Sequence, residues 1–279
     1  GFSHYDRQLR NDLIIIATMI AAANYSAPFL ETGFAKQLVL FSTFQEVKSH
    51  NPLVKNLRLM KNHEDFELKK LLINLNIILS NDPSALPVIS EGHLLLALLN
   101  YVCGNENNNK SQDYTPAYFE EIQLHALAAL TTLAPRMIPD YIQFNGSTRS
   151  LILLEWCIGP DDYGGHGNSF HGAGGRGNKR SQMRFCLRFI NSMVATGDDS
   201  IQQDFVDQGV IVMLNGILTS VNQSKLEDDA IDIEIQYDIL LILATLCESD
   251  VHRKEIFGTE GVDNLVRYLR IDRTKLNAG

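Results

Sequence analysis

Apolar residues along the chain recur with the period of an α-helix, in one arrangement that appears more than once. Leu68, Leu71, Leu72, Leu75, Ile78 and Leu79 fall at offsets 0, 3, 4, 7, 10 and 11, and Met183, Cys186, Leu187, Ile190, Met193 and Val194 repeat those offsets. At 3.6 residues per turn such positions form a single stripe on a helix. Looser copies run through Leu9, Leu13, Ile16, Met19 and Ile20, through Ala126, Leu127, Leu130, Leu133 and Ala134, and through Ile239, Leu240, Leu243, Leu246 and Cys247. The pattern predicts five long helices.

Each long helix is followed by a few polar residues, a short apolar and acidic segment, a glycine and a second apolar helix. The glycines are Gly33, Gly92, Gly146, Gly209 and Gly261. They stand 17, 17, 16, 19 and 18 residues after Ile16, Leu75, Leu130, Ile190 and Leu243. Glycine suits a corner between helices because it tolerates positive φ and close backbone approach. One such unit cannot bury its own apolar stripe, whereas stacked neighbours can. The predicted fold is therefore all-α, an armadillo/HEAT-like right-handed helical-repeat solenoid of about five units. The repeats are placed at 5–43, 64–103, 119–158, 180–221 and 232–271. Successive glycines lie 59, 54, 63 and 52 residues apart, longer than the ~40–47 of plain armadillo or HEAT units. The excess falls between the second helix and the next long one, at 44–65, 104–118, 159–179 and 222–232. Insertions at one point of the unit emerge along one edge of the array.

Composition narrows the function classes. The 279 residues are 45% apolar and 20% charged, ordinary for a globular protein, and the net charge is −9. That balance argues against a nucleic-acid partner except through a local basic patch. Cys103, Cys157, Cys186 and Cys247 form no CxxC pair, which suits reduced thiols in a cytosolic compartment. The apolar stretch 13–23, interrupted only by Thr18, has 11 residues against the ~20 of a membrane span, so no membrane insertion is expected. A chain that starts at Gly1 rather than Met reads as an internal fragment.

Two features carry candidate binding chemistry. The first is the 159–178 insertion, with eight glycines in 20 residues, among which stand His166, Phe170, His171 and Arg176. It reads either as a spacer or as a loop that docks on a partner or on the solenoid. Its GxGxxG (Gly172, Gly174, Gly177) follows no strand, so it is no dinucleotide fingerprint. The two histidines have no metal-ligand spacing. The second feature is the row Arg180, Arg184 and Arg188, with Asn191, opposite the apolar stripe of its helix. Like charges at i, i+4 repel by ~0.2–0.5 kcal/mol per pair, so carboxylates must lie nearby. Either the solenoid supplies them or an acidic partner does. Arg10 and Lys69 occupy matching places on their helices. No nucleophile elbow, paired-carboxylate motif or P-loop appears, so the reading is of no enzyme, no cofactor, no metal and no small-molecule substrate.

Longer words in the sequence bear a resemblance. GFSHYDRQLRNDL (1–13), GFAK (33–36), EDFELKKLL (64–72), EIQLHA (121–126), EWC (155–157), HGNSFHGAGGRGNK (166–179) and RKEIFGTEGVD (253–263) resemble the cilia- and flagella-associated protein 69 family of armadillo-repeat proteins. The resemblance covers essentially the whole chain. It implies a non-enzymatic structural scaffold of motile cilia and sperm flagella, in the central apparatus of the axoneme, on the cytoplasmic side. It also implies roles in flagellum assembly and stability and in olfactory cilia, with other axonemal and central-apparatus proteins as partners. Periodicity and composition alone reach only a helical-repeat binding scaffold, for which a soluble peptide-binding adaptor or transport receptor is the rival reading.

Overall fold

Short polar side chains fix where the helices start. Ser3 caps α1 (His4–Ala23) in a reciprocal box, its hydroxyl accepting from the Asp6 amide while the Asp6 carboxylate accepts from the Ser3 amide. Each such cap satisfies donors the first turn leaves unpaired. Asn62 does the same for α3 (His63–Leu79), accepting from the Asp65 amide at 2.8 Å. Asp198 caps α10 (Asp199–Asp207), and its hydrogen bonds from Ser200 and Ile201 hold its carboxyl below the usual carboxylate range.

The computed structural model describes residues 3–24, 26–103, 116–159, 176–223 and 230–249, with the side chains at 116, 176–178, 222 and 223 outside that description. All five predicted long helices are present: α1, α3, α6 (Pro116–Leu133), α9 (Arg176–Val194) and α12 (Ala230–Leu246). Between them lie α2 (Phe34–Thr43), α4 (Leu86–Glu91), α5 (Leu94–Val102), α7 (Ile138–Gln143), α8 (Gly146–Ile158), α10 and α11 (Val210–Gln223). Among the described residues there is no β-strand, and no single helix is long and apolar enough to cross a membrane. In the first unit the short segment before Gly33 is a run of turns rather than a helix. The last unit's Gly261 corner and second helix lie outside the described residues.

The long helices pack in chain order, α1 on α3, α3 on α6, α6 on α9 and α9 on α12. A second row follows the same order through α2, α5, α8 and α11. Two apolar clusters result, and α3 contributes to both. Leu68, Leu72, Leu75 and Leu79 pack with Ala21, Ala35 and Leu38 of the first unit. Phe66 and Ile73 join the larger cluster that continues through Leu130 and Ile190 to Leu243. Periodicity marked the α1 stripe as core, and the structure leaves it bare: Leu9, Leu13, Ile16 and Ile20 are 59, 56, 52 and 50% exposed. Their counterparts Leu68, Leu72, Leu75 and Leu79 are 7, 3, 0 and 5% exposed. The stripe of a long helix faces the unit before it, and among the described residues α1 has none before it.

The corners divide between them the two properties expected of glycine. In all four described corners the residue just before the helix that follows the corner is left-handed, but it is glycine only twice, at Gly33 (φ 75°) and Gly209 (φ 86°). In the other two it is His93 (φ 57°) and Asn145 (φ 55°). The neighbouring Gly92 and Gly146 serve close packing instead. A Cβ on Gly92 would stand 2.1 Å from Val39 Cγ1 on α2, and one on Gly146 2.3 Å from the Tyr141 ring. Gly92→Ala is expected to lower stability by about 1–3 kcal/mol through overpacking. In residues 1–279 alone, Leu75→Ala is expected to cost about 2–5 kcal/mol, while Ile16→Ala changes stability by less than about 0.5 kcal/mol. Urea unfolding monitored by circular dichroism reads all three.

Candidate interaction surface

Arg10 and the α9 arginines, singled out in the sequence, point at carboxylates of the next repeat, and so does Lys70, which was not singled out. Arg10 Nη2 lies 2.9 Å from Asp65 Oδ1 on α3, Lys70 Nζ 2.6 Å from Glu121 on α6, and Arg180 Nη2 2.5 Å from Asp232 on α12. Glu234 takes both Arg184 (2.5 Å) and Arg188 (2.9 Å). The α9 row thus meets acids of the same stack, supplied by the first turns of α12. Asn191 belongs to that seam too, hydrogen-bonding Asp238, whose carboxyl burial pushes up against the lowering effect of Arg188. Burial opposes the Lys70 ammonium, but hydrogen bonds to Glu121 and Glu67 outweigh it and raise its pKa. At the α6–α9 step the link is an amide pair, Gln182 donating to Gln123, which donates to the Tyr101 carbonyl at 2.8 Å.

Lys69 is turned inward rather than outward. Its ammonium is 1% exposed, 2.7 Å from the Glu46 carboxylate and 2.5 Å from the Ser42 carbonyl. Glu46 also accepts from the Tyr101 hydroxyl, and its carbonyl accepts from Asn100. A buried pair with its remaining lone pairs filled is costly to break from one side.

Glu46 and Asp65 are the two ends of the 44–65 insertion. Asp65 accepts from the Met60 amide at 2.7 Å and from Arg10, so both ends of the insertion are tied to the helices by buried carboxylates. Buried Val54 pins the middle, and an Asx turn at Asn51, accepting from the Leu53 amide at 3.0 Å, shapes the bend. The held loop borders open cavities of about 630 Å³, with Lys48, Lys55 and Arg58 in its lining, and about 540 Å³, floored by Phe34, Phe41 and Leu72. From Val47 to His63 the segment carries Lys48, Lys55, Arg58 and Lys61 and no acid. The basic bias of that run is legible in the sequence alone.

His166, Phe170 and His171 lie outside the described residues, as does the side chain of Arg176, the first residue of α9. His125 packs half-buried, and burial keeps its imidazole below the ordinary value. Trp156 is 39% exposed and carries the Lys179 ammonium 4.8 Å over its ring. Burial pushes the Cys157 thiol up to about 12 and Cys186 well above its ordinary value, leaving both as poor nucleophiles. Among the described residues no group of three or more His, Cys, Asp or Glu is placed to hold a metal ion.

Replacing Glu234 by Gln removes the carboxylate that both Arg184 and Arg188 contact. A loss of about 0.5–1 kcal/mol at low salt is expected, because the pair is partly exposed. The loss should shrink in 1 M salt, where the screening length is about 3 Å. Melting curves of the variant and parent at both salts read the difference.

Comparison with known proteins adds the lineage. The family model "Cilia- and flagella-associated protein 69, ARM repeat" matches residues 1–279. Proteins named cilia- and flagella-associated protein 69 from Callithrix jacchus, Homo sapiens and Mus musculus are 49, 48 and 48% identical to the chain over 280 aligned positions. The alignments cover the whole chain and 30% of each relative's length. With a full-length family match on a stack of long helices ordered as armadillo-type repeats, the chain belongs to the cilia- and flagella-associated protein 69 family.

Proposed function

We propose that the chain is part of a non-enzymatic structural scaffold of cilia and flagella. The observation that carries this reading is the family match across every residue of the chain. The finer assignment, to the axonemal central apparatus with roles in sperm flagellum assembly and in olfactory cilia, extends the resemblance and is proposed with it. The physical picture agrees: a stack of repeats offers long surfaces that hold several proteins in fixed register. In this reading 1–279 is one solenoid with repeats at 5–43, 64–103, 119–158, 180–221 and 232–271. The bare α1 stripe then receives a further helical repeat, because its counterparts on α3 are the residues that seat the second unit on the first. The 159–179 insertion, with His166, Phe170, His171 and Arg176, is proposed to contact a neighbouring axonemal protein.

Extraction of axonemes tests the assignment. A scaffold stays with the axoneme through detergent and leaves only in high salt or chaotrope. Release by detergent alone would instead favour a soluble adaptor or transport receptor that holds a peptide reversibly.

A further inference from the structure

We propose that the basic insertion between α2 and α3, with Lys36 beside it, is a docking surface for an acidic peptide segment that also carries apolar side chains. The starting point is where cations go in this protein. Arg7, Arg10, Lys69, Lys70, Arg180, Arg184 and Arg188 face carboxylates of the stack. Arg136 and Arg149 donate to the carbonyls of Ser80 and Cys103. Lys36, Lys48, Lys55 and Arg58 have no such partner among the described residues, and all four belong to or border this one insertion. In a chain of net charge −9, a cluster of cations left without anions is held by something other than internal pairing.

The framework around them is built rather than loose. Buried carboxylates tie both ends, through Glu46 to Lys69 and through Asp65 to Arg10, and buried Val54 fastens the middle. The most exposed apolar side chains are Leu53 at 59% and Met60 at 66%, with Leu57 less exposed beside them. Cations interleaved with exposed aliphatic groups, beside a cavity of about 630 Å³, fit carboxylates and aliphatic or aromatic side chains of an extended peptide. The exposed apolar groups are aliphatic rather than the aromatic platforms on which bases stack, which disfavours single-stranded nucleic acid. The overall negative charge opposes an anionic membrane surface just as it opposes nucleic acid. An acidic peptide is short enough to meet the local patch alone.

The proposal gives partner chemistry to one edge of the scaffold, and rests on that reading for its setting while the binding itself is tested in solution. The full-length protein is titrated into a fluorescein-labelled peptide of alternating Glu and Leu, followed by anisotropy. Saturable binding is expected, weakening as salt rises. The triple variants K48E/K55E/R58E and K48Q/K55Q/R58Q should each lose about tenfold or more in affinity. L53S/M60S should lose several-fold, and a Glu and Ser peptide of equal charge should bind more weakly than the Glu and Leu peptide. Because the substituted side chains are exposed, the melting temperature should stay at the parent value, which separates lost binding from lost folding. Unchanged affinity in both triple variants overturns the proposal. So does tighter binding, through the same residues, to phosphatidylserine vesicles or to a single-stranded RNA probe. Failure here leaves axonemal retention unaltered, whereas detergent release with intact peptide binding removes the scaffold reading and keeps the site.

Discussion

A long helix in this stack has apolar residues on more than one face, and one neighbour cannot cover them all. α3 shows the consequence: its leucine stripe closes against the first unit while Phe66 and Ile73 close against the second. Each fully buried Leu or Ile is worth roughly 1.5–3 kcal/mol relative to exposure, so the order of the units is set by which stripe finds which neighbour. The glycine corners, the caps and the ion pairs act inside that order. At α1, which has no unit before it among the described residues, the equivalent stripe stays exposed.

Polar groups divide into those that tie one repeat to the next and those that do not. The carboxylates Asp65, Glu121, Asp232 and Glu234 each stand on one long helix and receive cations from the helix before. Partly exposed pairs contribute little individually. Their larger effect is on register, since a slipped helix would strand the charges against like neighbours. The 44–65 insertion breaks the rule, with its carboxylates buried at the ends and its cations left outside. Charge is thus neutralised internally along the long helices and turned outward at this edge.

The long helices were legible because burial imposes a period on the sequence, and the offsets shared by 68–79 and 183–194 carry that period without needing coordinates. The glycines were half legible. Their spacing located the corners, yet the left-handed residue at two of them is His93 or Asn145, since the glycine there serves the approach of Val39 or Tyr141. The arginine row announced that acids must be near but could not say whose. The answer lay about fifty positions away, in side chains that only the stacking of α9 on α12 brings within reach. The exposure of the α1 stripe was not legible, because periodicity reports that a face is apolar and says nothing about who covers it. Lys69 failed to read as buried for the related reason that its partner, Glu46, comes from the preceding insertion.

Amide hydrogen exchange with peptide-level resolution tests the central dependence, that a long helix is held by neighbours on both sides. Local opening costs least where few apolar contacts must be broken. In residues 1–279 alone, α3, α6 and α9 are expected to exchange slowest and together, and α1, covered there on one side, well before them. Protection of α1 equal to that of α6, or early exchange in α6 and α9 while α1 stays closed, would contradict it.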